Sequence, residues 1–209
     1  MRARRVRALG LAAGLIGWSF TAGIDAPWRR HPLLQAALGT ALAASARTQM
    51  GLSGGRLRSG LRVGGVTALA VAAAVTAAGF VPRVRDAMAA RDLPERPARW
   101  LGVEIPLGTV WSEETAFRGA LATLAAEAFG PRRGRALQAL TFGLTHIADA
   151  RGTGEPVLGT VAATAAAGWA LALLAERSGS LIAPMLAHLA VNEAGAVAAL
   201  AVRRSAGQR

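Results

Sequence analysis

Long apolar runs separated by short arginine-rich segments constrain the fold of this chain more than any other feature of its sequence. The runs lack the strand-like alternation of apolar and polar residues. Because the core of a bilayer offers no water to unpaired backbone groups, such runs are expected to form helices. We therefore predict an all-α fold, a polytopic transmembrane bundle of about six to eight helices, from apolar runs at residues 9–24, 32–50, 63–81, 105–129, 136–147, 157–175 and 181–202.

The composition points to the same environment. Hydrophobic residues make up 53% of the 209 residues, more than an ordinary soluble domain contains. The net charge of +12 comes from arginines spread between the apolar runs, where they would meet anionic headgroups. We expect membrane lipids as partners, no nucleic acid, and a multi-pass location in the cell membrane. The chain has no cysteine, which excludes a disulfide, a thiolate metal site and a cysteine nucleophile.

The arginine-rich segments predict the membrane topology only in part. Residues 51–62 and 131–135 are predicted to be cytoplasmic, because arginine is enriched on that side. Strict alternation of the spans would then place the equally arginine-rich residues 82–99 outside. One explanation is that this segment lies along the membrane interface as an amphipathic helix. Residues 1–24 also resemble a secretory signal, although the later spans would hold the chain in the membrane either way.

Ionisable side chains interrupt the apolar runs mainly in the second half of the chain. The run at residues 105–129 contains Glu113, Glu114 and Arg118, and an ionised group at mid-bilayer costs about 2.5 to 3.5 kcal/mol. These side chains are therefore expected to face the protein interior. Glu114 and Arg118 are four residues apart on one helix face and can neutralise each other. Glu113 has no local partner, so its carboxylate is a candidate general base.

Two further polar pairs lie on later apolar runs. Phe142 and His146 are one turn apart, and so are His188 and Asn192. Either pair alone could serve only to bridge helices. Three polar constellations on three helices can satisfy one another only by converging, so we predict that Glu113, His146, His188 and Asn192 surround one cavity.

This set of side chains favours hydrolysis by water over covalent catalysis. A glutamate can take the proton of a water molecule, while histidine and asparagine can donate hydrogen bonds to an oxyanion. Alternatively, His146, His188 and Glu113 could hold Zn²⁺ with an open fourth position. The cofactor is therefore either none or zinc. Ser112, next to Glu113, stays a weaker candidate nucleophile.

The three constellations together resemble a known family. In order and spacing, Glu113-Glu114-Thr-Ala-Phe-Arg118, Phe142-Gly-Leu-Thr-His146 and His188-Leu-Ala-Val-Asn192 resemble the EExxxR, FxxxH and HxxxN motifs of the CAAX protease and bacteriocin-processing family. The family consists of helical membrane proteases and includes the type II CAAX prenyl endopeptidases, which trim the C-terminus of prenylated proteins. The resemblance covers residues 105–202, which contain the motifs, and says nothing about the N-terminal spans. We predict variable N-terminal membrane helices at residues 1–96 and a protease core similar to this family at residues 97–209.

The resemblance also implies a role for each motif residue. Glu113 resembles the general base, His146 its partner in activating water, and His188 with Asn192 the pair that stabilises the oxyanion. The supporting residues would be Glu114, Arg118 and Phe142. Family members are described as metalloproteases, and a metal-free glutamate mechanism has been argued as well. The predicted function is therefore an intramembrane endopeptidase that acts on a membrane-associated protein or peptide.

Two other classes of function use the same residues. In a noncatalytic membrane binding or immunity protein, the polar cluster would serve only helix packing. In a small transporter, Glu113 and the histidines would form a proton relay that is alternately exposed to the two sides. Halves related by an inverted repeat would favour a transporter, and the sequence shows none.

Overall fold

The protein is helical throughout the part that its structure describes. The computed structural model describes residues 1–21, 26–90 and 92–206. No strand is present among these residues, and the prediction of an all-α fold is confirmed. Two details of the sequence predictions, the end of the first apolar run at Ile24 and the charge of Arg91 in the proposed interfacial segment, lie outside the described residues.

The N-terminal half contains four helices in the described range, of which two are long. They are α1 (Arg2–Phe20), α2 (Pro32–Ser45), α3 (Gly54–Ala78) and α4 (Pro82–Ala90), with a short 3₁₀ turn at Pro27–Arg30 before α2. Helix α2 begins at a proline, which fits the first turn of a helix because the missing N–H would have no partner there.

The C-terminal half is dominated by α5, a continuous helix over residues 97–129. Its ends, Pro97–Arg99 and Ala122–Phe129, are α-helical. Its middle, Trp100–Trp111 and Glu114–Leu121, has wider π-type turns, in which each N–H bonds the carbonyl five residues earlier. The following helices are α6 (Pro131–Thr145), α7 (Ile147–Thr153), α8 (Val157–Ser178) and α9 (Ile182–Ala206).

Several helices differ in extent from the apolar runs that predicted them. Helix α3 begins at Gly54, so its first turns include arginines that the sequence assigned to a loop at residues 51–62. Backbone hydrogen bonding does not stop where hydrophobicity stops, and arginine is a good helix former. The segment predicted as one interfacial helix, residues 82–99, is helical over Pro82–Ala90 and again from Pro97, while residues 92–96 are not helical.

Glycines allow the helices of the two halves to approach closely. A methyl group at Gly39 of α2 would lie 2.7 Å from the Ser112 carbonyl oxygen of α5, and one at Gly64 of α3 would lie 2.7 Å from Ala183 Cα of α9. Small residues at helix contacts are typical of membrane bundles, where close backbone approach replaces the hydrophobic effect as a source of stability. The N-terminal helices therefore pack directly on the helices that carry the motifs.

Three of the described helices are long and apolar enough to cross a membrane. They are Gly54–Ala78, Val157–Ser178 and Ile182–Ser205, and the shorter Pro32–Ser45 is also apolar. In the most apolar window of α3, only 6% of the residues are buried inside the protein. An apolar helix that is covered by so little protein is suited to contact lipid.

Candidate active site

The first motif lies on the widened middle of α5 and supplies a buried ion pair. Glu114 is fully buried, and its Oε1 atom lies 3.1 Å from Nη1 of Arg118, whose side chain is also fully buried. Glu113, the preceding residue, is different, because 30% of its side chain is exposed. The helix thus places the Glu114 carboxylate in the protein core and leaves the adjacent Glu113 carboxylate partly exposed.

His188 of α9 connects the two carboxylates. Its Nδ1 atom lies 2.8 Å from Glu114 Oε1, and its Nε2 atom lies 3.8 Å from Glu113 Oε2. The first distance is a hydrogen bond and the second is too long for one. The imidazole therefore hydrogen bonds to Glu114 and lies near Glu113, although more than seventy positions in the sequence separate it from both.

The second motif surrounds the same ion pair from α6. The Arg118 guanidinium carbon lies 4.1 Å from the centre of the buried Phe142 ring, a cation–π contact. The His146 ring packs edge-on against Phe142, with 4.8 Å between centroids, and the His188 ring lies 6.3 Å from Phe142. Phe142 is thus the apolar centre of the site and separates the two histidines.

Hydrogen bonding determines which ring nitrogen of each histidine carries a proton. His146 Nδ1 lies 2.8 Å from the carbonyl oxygen of Phe142, so Nδ1–H must donate there. His188 Nδ1–H likewise donates to the Glu114 carboxylate. In the neutral state, Nε2 of both rings is therefore a hydrogen-bond acceptor, and His188 can donate from Nε2 only when it is protonated on both nitrogens. The expectation that neutral histidines donate to an oxyanion does not fit this arrangement.

Asn192 and Ser112 hydrogen bond within their own helices. Asn192 Nδ2 donates one hydrogen to the His188 carbonyl oxygen at 3.0 Å, and its second N–H is free of this bond. The Ser112 hydroxyl is directed to backbone carbonyls, including that of Thr109 at 3.0 Å. Donation to its own helix does not prepare Ser112 as a nucleophile, because no base accepts its proton.

A cavity of about 520 Å³ opens beside Glu113 and His146, and both residues line it. Much of its wall is apolar, and it comes from the N-terminal half: Leu11, Leu15, Trp18, Leu38 and Leu42. The sequence predicted function in the second half only, and nothing in the uniformly apolar first helices distinguishes a cavity wall from a lipid-facing surface. Arg29 and Gln35 also line this cavity, and the sequence analysis did not select either.

The described side chains do not form a metal-binding set. A zinc site would need His146, His188 and Glu113 as ligands at roughly 2 Å from one ion. Among the residues in the described ranges, no group of three or more histidines, aspartates or glutamates is arranged to hold a metal ion. The predicted zinc ligands therefore do not fit that role as they are placed.

The segment that contains all three motifs matches a known protein family. Residues 96–194 match the family model described as type II CAAX prenyl endopeptidase Rce1-like. No curated protein and no solved structure matches the chain. The match and the apolar helices identify a membrane protein of a protease family. Residues 96–194, slightly less than half of the chain, are therefore similar to the Rce1-like type II CAAX prenyl endopeptidases.

Proposed function

We propose that the protein is a multi-pass endopeptidase of the cell membrane, which hydrolyses a peptide bond of a membrane-associated protein or peptide with water activated by Glu113. The observation that carries the proposal is a pair of adjacent glutamates with different surroundings: Glu114 hydrogen bonds to His188, while Glu113, 3.8 Å from the same ring, lines a cavity with His146. Glu113 is therefore accessible to a substrate, and Glu114 positions His188 by a hydrogen bond.

The proposed reaction uses His188 with a proton on both ring nitrogens. Glu113 and Glu114 carry two negative charges, and Arg118 supplies one positive charge. With this form of His188, the formal charges of the four groups sum to zero. Protonated His188 donates Nδ1–H to Glu114 and has Nε2–H available on the side of Glu113.

In the proposed reaction, Glu113 takes one proton from a water molecule while His146 Nε2 accepts a hydrogen bond from the other. The water oxygen attacks the substrate carbonyl carbon, and the carbonyl oxygen becomes an oxyanion. His188 Nε2–H and the second N–H of Asn192 donate to the oxyanion. Glu113 then gives its proton to the leaving amide nitrogen, the C–N bond breaks, and a carboxylic acid and an amine are released. Transfer of the acid's proton to the amine gives the carboxylate and the ammonium group of the final products.

The proposal is tested by replacing Glu113 and searching for a lost cleavage. Membranes that contain the intact protein are compared by proteomics with membranes that contain Glu113→Gln, which keeps the side-chain shape and removes the base. We expect specific cleavage products to disappear with Glu113→Gln. The matched control is Glu104→Gln, the same change at an exposed position of α5, for which the products should persist.

The same experiment separates catalysis from a noncatalytic role. If Glu113→Gln leaves every cleavage product in place while the protein still folds, the polar cluster serves packing or binding, and the protease proposal is wrong. Purified protein with the substrate found in this way should then show release of the peptide in vitro, again only with Glu113 intact.

A further inference from the structure

A second cavity, of about 610 Å³, shares Arg118 with the candidate active site and is otherwise lined by different residues. Four arginines line it: Arg47, Arg56, Arg118 and Arg135. The active-site cavity differs in character, since it is lined largely by apolar side chains. A concave site with clustered guanidinium groups is suited to bind an oxyanion, because arginine presents several N–H donors in a planar fork.

The cavity forms where three helix junctions meet. Its wall includes the turn after α2, the start of α3, the junction of α5 and α6, and the junction of α8 and α9. Two backbone-linked contacts hold these junctions together: Leu181 N–H donates to the Met50 carbonyl at 2.9 Å, and Ser180 Oγ donates to the Gly51 carbonyl at 2.8 Å. The site is therefore built from fixed helix ends.

The position of the cavity relative to the bilayer points to the class of ligand. Each of the three candidate spans has an end beside it, since α3 starts at Gly54, α8 ends at Ser178 and α9 starts at Ile182. Spans that cross the hydrocarbon core end at the level of the headgroups. Arg47 and Arg56, which lie near these helix ends in the sequence, are therefore expected at the depth of lipid phosphates, on the side that the arginine-rich loops predict to be cytoplasmic.

The lining holds four arginines and two glutamates, and one positive charge remains once Glu114, which pairs with Arg118 from outside the lining, is also counted. Arg135 pairs with Glu176 at 2.6 Å, and Arg118 pairs with Glu114. Arg47 and Arg56 have no carboxylate partner among the described residues; Arg56 donates to the neutral amide of Gln49. Glu127, the remaining carboxylate in the lining, offsets one of these two charges. A phosphodiester group, which carries one negative charge, would neutralise the other.

We propose that this arginine-lined cavity binds the headgroup phosphate of an acidic phospholipid. Arg47 and Arg56, which are both exposed, would supply the donors, and the Thr48 and Thr123 hydroxyls, 3.2 Å apart, belong to residues that line the same cavity. The ligand would occupy the junction of the helices α3, α8 and α9 and would stay with the protein when bulk lipid is removed. This binding does not depend on the proposed hydrolytic activity.

The test uses purified, full-length protein that has been delipidated and offered phosphatidylglycerol and phosphatidylcholine in equal amounts. Retained lipid is counted by native mass spectrometry. Wild-type protein should retain phosphatidylglycerol preferentially. Removing two arginine charges with Arg47→Gln/Arg56→Gln should weaken its retention by about 30-fold, and each single substitution by about five-fold, because a direct hydrogen bond from one guanidinium to the phosphate contributes on the order of 1 kcal/mol.

The matched control is Arg132→Gln/Arg133→Gln, which removes the same charge from exposed positions outside the cavity lining. The control should retain phosphatidylglycerol like the wild type. Equal weakening in both pairs would show diffuse attraction to anionic lipid and would overturn the proposal, as would equal retention of the two lipids. In a separate arm, displacement of the retained lipid by millimolar inorganic phosphate would identify a site for the free ion and would also overturn it.

Discussion

Replacement of Glu114 by glutamine should lower the free energy of unfolding more than replacement of Glu113 by glutamine. Glu114 Oε1 lies 3.1 Å from Arg118 Nη1, and both side chains are fully buried. Two unit charges at this distance attract each other by about 5 kcal/mol at an effective dielectric constant of about 20. Removing one partner leaves a buried charge uncompensated, and such changes cost about 3 to 5 kcal/mol. We expect a loss of this size for Glu114→Gln.

The assay is equilibrium unfolding of purified protein in mixed micelles with increasing fractions of sodium dodecyl sulfate, followed by tryptophan fluorescence. Trp111 lies on the same helix as the pair and reports on it. Glu113→Gln should cost less than about 1 kcal/mol, because its carboxylate is partly exposed and lies 3.8 Å from its nearest cationic group. In a double variant, Arg118→Met should restore part of the stability that Glu114→Gln loses.

Two outcomes would refute this reasoning. Equal destabilisation by Glu113→Gln and Glu114→Gln would show that the two carboxylates do not have separate roles. Failure of Arg118→Met to recover any stability in the Glu114→Gln background would show that an uncompensated guanidinium is not the cause of the loss.

Two further predictions concern helix contact and metal. Gly39→Ala would place a methyl group 2.7 Å from the Ser112 carbonyl oxygen, so it should lower both stability and activity. Gly10→Ala, with nothing within 4 Å, should change neither. Similar unfolding curves and rates for the two variants would contradict the close contact of α2 with α5. We also expect activity to survive exhaustive chelation. Both His146 and His188 pack against Phe142, and within the described ranges they do not form a metal-binding group with a third ligand. Stoichiometric zinc by elemental analysis, with activity restored only by adding zinc back, would contradict this expectation.

The sequence predicted the helices and the polar contacts because both follow from the cost of exposing polar groups to lipid. The pairing of Glu114 with Arg118 could be derived from their spacing alone. The link from Glu114 to His188 could not, since it depends on how α5 and α9 pack. The wide turns of α5 were also missed, because no residue preference distinguishes bonding to the fifth preceding carbonyl from bonding to the fourth.

The boundaries of the helices show a different limit. Hydrophobicity predicts where a helix enters lipid, whereas hydrogen bonding and prolines decide where the helix begins and ends. Helix α3 therefore extends through Arg56 and Arg58 before its apolar stretch. His146 lies at the break between α6 and α7, where its ring hydrogen bonds to the carbonyl oxygen of Phe142. The hydrophobicity of residues 136–147 did not predict this break.

The origin of the active-site cavity wall has a consequence for how proteins of this type can diverge. The proposed catalytic groups come from a segment that matches a family, while Leu11, Leu15, Leu38 and Leu42 come from helices that precede the match. Changes in those leucines alter the shape and width of the cavity without touching a group that takes part in the proposed reaction. Exchange of α1 and α2 between related chains is therefore a route to altered substrate choice with unaltered chemistry.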